Sequence, residues 1–262
     1  MRFRPCIDLH RGCVKQIVGA TLAAPTGPVT HFAADRPASW FAERYRLDGL
    51  RGGHVIMLGP GNDEAAAGAL AAFPGGLHVG GGITPDNAEA WLRRGASHLI
   101  VTSFLFVDGQ FQPERLANLV DRVGAEHLVI DLSCAPGSGG YRVMTDRWQR
   151  ATDLAVDTAT LARLAPSCSE FLIHATAVEG RQQGPDPDLV ALLADASPLP
   201  TTYAGGIATA DDIELVARRG QGRLDFTVGA ALDLFGGAGL RYEDLVTHWS
   251  AMGDTGRGAG PT

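Results

Sequence analysis

The stretch Tyr203-Ala204-Gly205-Gly206-Ile207 has an earlier near-copy in the chain, Val79-Gly80-Gly81-Gly82-Ile83. The two stretches lie 124 residues apart, measured from Ile83 to Ile207. Each pattern predicts a buried strand that ends in a glycine turn. Adjacent glycines let backbone N–H groups approach a ligand closely, because no Cβ stands in the way. Such N–H groups near a helix N-terminus form a natural cradle for a phosphate.

Two further features repeat with nearly the same shift. Cys6-Ile7-Asp8-Leu9-His10 returns 123 residues later as Val129-Ile130-Asp131-Leu132-Ser133. Strands that end in the small residues Thr102-Ser103 and Gly229-Ala230 follow the two glycine turns. Features that shift together by about half the chain indicate a duplicated half-domain, since solenoid repeats are only ~20–50 residues long.

Strand and helix patterns alternate between these landmarks. Eight apolar strand runs, each leading to a helix, predict an α/β fold, a (β/α)8 TIM barrel built from two duplicated half-barrels. An open, doubly wound sheet is the alternative, but a four-plus-four repeat favours the closed barrel. We expect one barrel domain over residues 1–252 and a disordered, glycine-rich tail over 253–262. Residues 20–37 are predicted to form a long loop and residues 134–150 an irregular one.

Composition excludes several classes of function. The 262 residues include 22 basic and 29 acidic side chains, and the net charge of −7 argues against a nucleic-acid partner. The chain has no apolar run of about 18 residues that predicts a membrane span, and its N-terminus does not resemble a secretory signal. Four cysteines do not suggest a disulfide framework at this length, so we expect a cytoplasmic protein. Cys6, His10 and Cys13 lack an evident fourth ligand, and we predict no metal site.

Closure of the barrel would fix where the repeated strand ends lie relative to one another. Asp8 ends the first barrel strand and Asp131 the fifth, so the two carboxylates face each other across the mouth. The first cradle comprises the ends of the third and fourth strands, and the second cradle the ends of the seventh and eighth. Their members are Gly81, Gly82, Thr102 and Ser103 in the first, and Gly205, Gly206, Gly229 and Ala230 in the second. Barrel enzymes commonly bind phosphate after strands seven and eight. We therefore predict an extended ligand with a phosphate at each end and its reacting centre between two aspartates suited to acid–base chemistry.

Three other side chains have two interpretations each. Trp148, in the connection after the fifth barrel strand, either stacks on a planar ligand ring or anchors that loop by packing. Lys15 either faces the mouth and neutralises ligand charge or is solvated. His174 ends the sixth strand and is either a hydrogen-bonded core histidine or a residue of the mouth.

These motifs together resemble one enzyme family over residues 3–250. Cys6 to His10 with Val14-Lys15-Gln16, the two glycine turns, Val129 to Ser133 and Trp148-Gln149 are similar to the phosphoribosylformimino-5-aminoimidazole carboxamide ribotide isomerases of histidine biosynthesis. The resemblance is strongest to their fungal and plant-type branch. It implies an intramolecular aldose–ketose isomerase that performs an Amadori rearrangement of a bis-phosphorylated small molecule without a cofactor. We expect a monomer.

The resemblance also implies roles for individual residues. Asp8 would be the base that removes the proton from sugar carbon 2, and Asp131 the acid that opens the ribose ring. The two cradles would hold the two phosphates, and Trp148 would stack on the imidazole. Two positions depart from the bacterial branch: Met57 stands where that branch has an acidic residue, and Ala175 where it has threonine. Thr176 is the neighbouring candidate for that threonine's role.

Three alternatives to this function stay open. The cyclase subunit of imidazole glycerol phosphate synthase shares the duplicated barrel and the opposed aspartates. It usually carries Met-Asp-Arg-Asp-Gly-Thr after the sixth strand, where this chain has Ala175-Thr176-Ala177-Val178-Glu179-Gly180. A bifunctional relative also isomerises phosphoribosylanthranilate. A non-catalytic phosphate-ligand sensor is less consistent with both aspartates, since binding alone needs neither.

Overall fold

The structure, a computed structural model, describes residues 1–18, 21, 28–146 and 148–250. Within these residues the strands and helices alternate along the chain. The strands are β1 (Cys6–His10), β2 (Cys13–Ile17), β3 (Thr30–Ala33), β4 (Gly53–Met57), β5 (Leu77–Gly80), β6 (His98–Val101), β7 (Phe106–Val107), β8 (Gln110–Phe111), β9 (Leu128–Asp131), β10 (Cys134–Gly137), β11 (Gly140–Thr145), β12 (Arg150–Val156), β13 (Glu170–His174), β14 (Thr201–Ala204) and β15 (Leu224–Phe226). The helices are α1 (Ala38–Leu47), α2 (Asp63–Ala72), α3 (Ala88–Arg93), α4 (Pro113–Val123), α5 (Thr158–Leu164), α6 (Pro187–Ala196), α7 (Ala210–Arg219) and α8 (Tyr242–Trp249).

Parallel strands form the barrel. They pair in the order β1, β4, β5, β6, β9, β13, β14 and β15, and a helix follows each one in the chain. The ring closes between its last strand and the residues before its first, where Phe3 forms a parallel bridge with Phe226. The backbone N–H of Arg4 donates to the Phe226 carbonyl at 2.8 Å. The predicted (β/α)8 barrel is confirmed.

The side chains inside the barrel form layers, because alternate residues of a strand face the same side. On β13 the inward positions are Glu170, Leu172 and His174. Leu172 belongs to a small apolar cluster in the middle of the barrel, which also contains Ile56, Ile100, Val129 and Ala204. Below it Glu170 lies 3.5 Å from the guanidinium of Arg4, and above it His174 reaches the carboxyl-terminal mouth. The larger apolar core lies between the sheet and the helices.

Helix ends follow the sequence signals in most places. The α7 helix begins with a capping box, in which Thr209 and Asp212 each accept from the other's backbone N–H. Helix α4 starts at Pro113, whose fixed φ suits the first turn. Two sequence signals for a helix start fail. Thr84-Pro85 is a typical N-cap with proline in the first turn, but α3 begins only at Ala88.

Asn62 is the second such signal. It is a residue type favoured as an N-cap and lies directly before α2, but its side chain makes no capping hydrogen bond. Its carbonyl oxygen instead accepts from the Gly12 backbone N–H at 2.8 Å, and its amide donates to the Gly59 carbonyl at 2.8 Å. Asn62 therefore links the turn between β1 and β2 to the segment between β4 and α2.

The stretch predicted to be irregular, residues 134–150, is instead part of a three-stranded antiparallel sheet of β10, β11 and β12. Glycine-rich residues 137–140 form the turn between β10 and β11, where Gly137 pairs with Gly140. The predicted long loop over residues 20–37 contains strand β3, which pairs with β2, and a part that lies outside the described residues. The predicted tail, 253–262, also lies outside them. None of the described helices is long and apolar enough to cross a membrane.

Candidate active site

Asp8 is the first of the two predicted aspartates. The prediction that it ends the strand was wrong: Asp8 lies in the middle of β1, because the strand continues to His10 to pair with β2. Its Oδ2 accepts a hydrogen bond from Gln16 Nε2 of β2 at 3.2 Å. Burial raises the pKa of Asp8 to about 7, and the negative charge of Glu179 adds to that rise, whereas His174 and Gln16 oppose it. A carboxyl with such a pKa exchanges protons readily near neutral pH.

Asp131 ends β9 and is buried. Its Oδ1 accepts from the Ser133 hydroxyl at 3.0 Å and lies 3.4 Å from His174 Nδ1. Burial alone lowers the pKa of His174, but the charge and hydrogen bond of Asp131 outweigh it, together with the charges of Glu179 and Asp8, and the result is about 9. The mouth therefore holds a carboxylate and an imidazolium in contact.

The first cradle lines a large cavity of about 1190 Å³, into which Asp8, Asp131 and His174 also project. Gly81 and Gly82 have positive φ angles of 96° and 77°, which side-chain-bearing residues rarely adopt. A Cβ at Gly81 would overlap the Met57 carbonyl. The backbone of this turn therefore faces the cavity without side chains.

The second cradle lines a small cavity on the other side of the same mouth. Gly205 and Gly206 have φ angles of 124° and 77°, so this turn closely matches the one at Gly81-Gly82. Gly229 and Ala230 line the same cavity, as do Gln16 and Thr227. The matched backbone conformations support the duplicated half-barrel.

The two cavities share four lining residues, Asp8, Ile17, His174 and Glu179. The mouth is therefore continuous from one cradle to the other, with Asp8 and His174 between them. Both glycine turns, Asp8 and Asp131 line this mouth, and their roles in binding and catalysis stay predictions.

Glu179 is the site residue that the sequence interpretation missed. It follows β13 by five positions and lines both cavities. Burial raises the pKa of its carboxyl, and the charge of His174 works in the opposite direction. A single acidic residue in a loop has no periodic pattern that would mark it as a site residue. Its position shortly after a barrel strand is the signal that could have identified it.

Trp148 lies in the connection between β11 and β12 and lines the large cavity. Its φ is 66°, and its ring centroid is 6.2 Å from that of His174. The three-stranded sheet that carries it is attached to the barrel, since the Met144 backbone N–H donates to the Ser133 carbonyl at 2.7 Å. Trp148 is thereby held over the Asp131–His174 pair.

Lys15 and Thr176 are placed differently from each other. Lys15 lines the large cavity from β2, beside His10 and Arg11. The Thr176 hydroxyl donates to the Cys134 carbonyl at 3.0 Å, and among the described residues Thr176 is not one that lines either cavity. Met57 lines the large cavity in the place where the bacterial branch carries an acid.

Comparison with known proteins agrees with this geometry. Residues 2–236 match the protein family described as "Histidine biosynthesis protein". A chloroplastic protein of Medicago truncatula, named 1-(5-phosphoribosyl)-5-((5-phosphoribosylamino)methylideneamino) imidazole-4-carboxamide isomerase, is 50% identical over 253 residues, which cover 94% of this chain and 81% of the plant protein. Proteins of the same enzyme name from Neurospora crassa and Saccharomyces cerevisiae are 48% and 43% identical, covering 94% and 93% of this chain and 97% and 96% of the relatives. The chain belongs to the histidine biosynthesis protein family.

Proposed function

We propose that this chain is a sugar-phosphate isomerase that converts the phosphoribosylamino group of its relatives' named substrate into the corresponding phosphoribulosyl form. The reaction is an Amadori rearrangement, in which an aminoaldose becomes an aminoketose. The observation that carries the proposal is the continuous mouth with a glycine cradle at either side and Asp8 between them.

The substrate implied by the relatives' name carries two phosphoribosyl groups. One phosphate would bind the backbone N–H groups of the first cradle and the other those of the second. Both phosphates are far from the reacting carbons, so their binding energy serves to position the sugar. Trp148 would stack on the imidazole between them.

Asp8 is the proposed base, which removes the proton from sugar carbon 2. Its pKa of about 7 suits that role, because a base is most effective when its pKa is near the working pH. Asp131 belongs to the acid side of the reaction, where it and the groups that it holds deliver a proton to the ribose ring oxygen. The two carboxyl groups thus have opposite tasks in different surroundings.

An assay with the bis-phosphorylated aminoaldose and, separately, with its aminoketose, each with and without ammonia, tests the function. We expect the aminoketose to form in both conditions and no cofactor to be required. Turnover only of the aminoketose, with ammonia, to a cyclised product would instead indicate the cyclase. Binding without any turnover would indicate a sensor.

A further inference from the structure

His174 lies at the centre of the mouth and has no role in the scheme so far. Its side chain is 15% exposed and lines both cavities. Three acidic side chains face it from three directions: Asp8 from β1, Asp131 from β9, and Glu179 from the connection after β13. An imidazole surrounded by carboxylates holds a proton strongly.

Of the two neighbouring imidazoles His54 and His174, His174 is the one that carries a charge near neutral pH. The ring of His54, on β4, is centred 6.3 Å away, but burial lowers its pKa to about 3 and keeps it neutral. Trp148, in the segment between β11 and β12, lies beside the His174 ring with the ring centroids 6.2 Å apart, and its side chain does not titrate. With Nδ1 directed at Asp131, Nε2 is the nitrogen available to a ligand in the mouth.

We propose that His174 is the proton donor of the acid step, and that Asp131 is the positioning residue that holds its imidazole in place. The inference rests on the proposed function and refines it. At neutral pH a proton shared by an imidazole and a carboxylate at this distance resides on the imidazole. The imidazole is therefore the group of this pair that has a proton to give, and its Nε2 faces the mouth.

The proton and electron movements balance over the whole cycle. His174 Nε2 gives its proton to the ribose ring oxygen as the bond from that oxygen to carbon 1 breaks. The bond's electron pair stays on the oxygen, and the lone pair of the neighbouring nitrogen forms the C=N bond of a protonated Schiff base. Asp8 then takes the proton from carbon 2, whose electron pair forms the C1=C2 bond while the C=N pair returns to nitrogen. Finally Asp8 returns its proton to carbon 1, and the hydroxyl proton of carbon 2 goes to His174, which leaves the ketone.

Three variants separate this role from a structural one. His174→Gln keeps a polar side chain but cannot carry the proton, and we expect kcat to fall by about 10²–10⁴-fold. Ser133→Ala is the matched control, because Ser133 donates a neutral hydrogen bond to the same Oδ1 of Asp131. Its loss should reduce kcat by about tenfold or less. If the glutamine variant does not fold, His174→Asn replaces it.

The pH profile gives the readout that packing would not change. In the wild type, and in Ser133→Ala, activity should fall above about pH 9 as His174 loses its proton. His174→Gln should lack this alkaline fall, and its acid limb should move to higher pH because the His174 charge no longer opposes the rise in the Asp8 pKa.

A titration of wild-type protein with ¹⁵N-labelled histidine, assigned by the missing signal in the variant, completes the test. A His174 imidazole that is still protonated at pH 8 supports the proposal. Titration below pH 7, or a His174→Gln enzyme that retains the alkaline limb and turns over within tenfold of wild type, overturns it while the proposed function stands. An inactive wild type would refute the proposed function itself, and this inference with it.

Discussion

The two cradles have matching backbones and different surroundings. At the first, the cavity also contains the cationic side chains of Arg11 and Lys15, and a Cβ added at Gly82 would meet nothing within 4 Å. At the second, a Cβ at Gly206 would overlap the Gly184 carbonyl, and the Gly184 N–H donates to the Gly206 carbonyl at 3.0 Å. Among the described residues that line this small cavity, none is a lysine or an arginine.

The two half-barrels therefore share the conformation of their strand ends, whereas the connecting loops set a different environment around each. The first cradle is open and can add cationic attraction to its backbone N–H groups. The second is packed beneath the segment between β13 and α6, and the proposed phosphate there would meet backbone dipoles and neutral side chains such as Gln16 and Thr227.

The aspartates should matter more than either cradle. Asp8→Asn should lower kcat by about 10²–10⁴-fold because it removes the base without changing its shape. Asp131→Asn should lower kcat by about as much, because it removes the carboxyl group that holds His174 in place and favours its proton. Steady-state kinetics on folded variants, checked by circular dichroism, measures this. Turnover within tenfold of wild type for either variant would remove that residue from the mechanism.

Matched glycine substitutions test the contrast between the cradles directly. Both Gly82 and Gly206 have a φ of 77°, so an alanine at either costs about 1–2 kcal/mol in backbone strain. At Gly206 the overlap with Gly184 adds about 1–3 kcal/mol. Urea unfolding should therefore find Gly206→Ala clearly less stable than Gly82→Ala. Equal losses of stability would mean that the second cradle is not the more tightly packed one.

Trp148→Ala tests whether this side chain serves the ligand or the fold. Because Trp148 lies over the mouth and is only partly buried, we expect KM to rise and kcat to fall together, with little change in melting temperature. Both quantities are measured on the one variant. A clear drop in melting temperature with normal kinetics would make Trp148 a packing anchor.

A smaller effect concerns stability and pH. The pKa of Asp8 is raised on folding from an ordinary 3.8 to about 7, so the folded protein binds this proton more tightly than the unfolded chain. Stability from this group is present below pH 4 and is lost as pH rises to about 7. Asp8→Asn should therefore melt higher than wild type at pH 8, by a margin that shrinks towards pH 4. A margin independent of pH would show that Asp8 is not buried as an acid.

Much of this arrangement could be predicted from sequence, because its elements are fixed by strand ends. Asp131 ends β9 and Asp8 lies in β1 two residues before its end, at a repeated spacing, and closure of the ring places both at one mouth. The positions of the glycine turns followed from the same rule. These predictions depended on local patterns that tertiary contacts did not override.

The failures have a common physical cause. The strands β10 to β12 contain proline and several glycines, and their pairing depends on attachment to the barrel, as at Met144 and Ser133, more than on β-propensity. Asn62 satisfies distant backbone groups instead of its own helix. Glu179 lies in the mouth because the segment between β13 and α6 folds back over the second cradle. No local sequence pattern predicts that contact.

The most direct test of one ligand held at both ends is a crystal structure grown with inorganic phosphate or sulfate. The account predicts two bound anions, one on the Gly82 and Ser103 backbone and one on the Gly206 and Ala230 backbone, with Asp8 between them. Raising the salt concentration should weaken the first more than the second, because Arg11 and Lys15 lie in the first cavity. An anion at one cradle only, with side chains filling the other, would contradict the bis-phosphate substrate and the central claim.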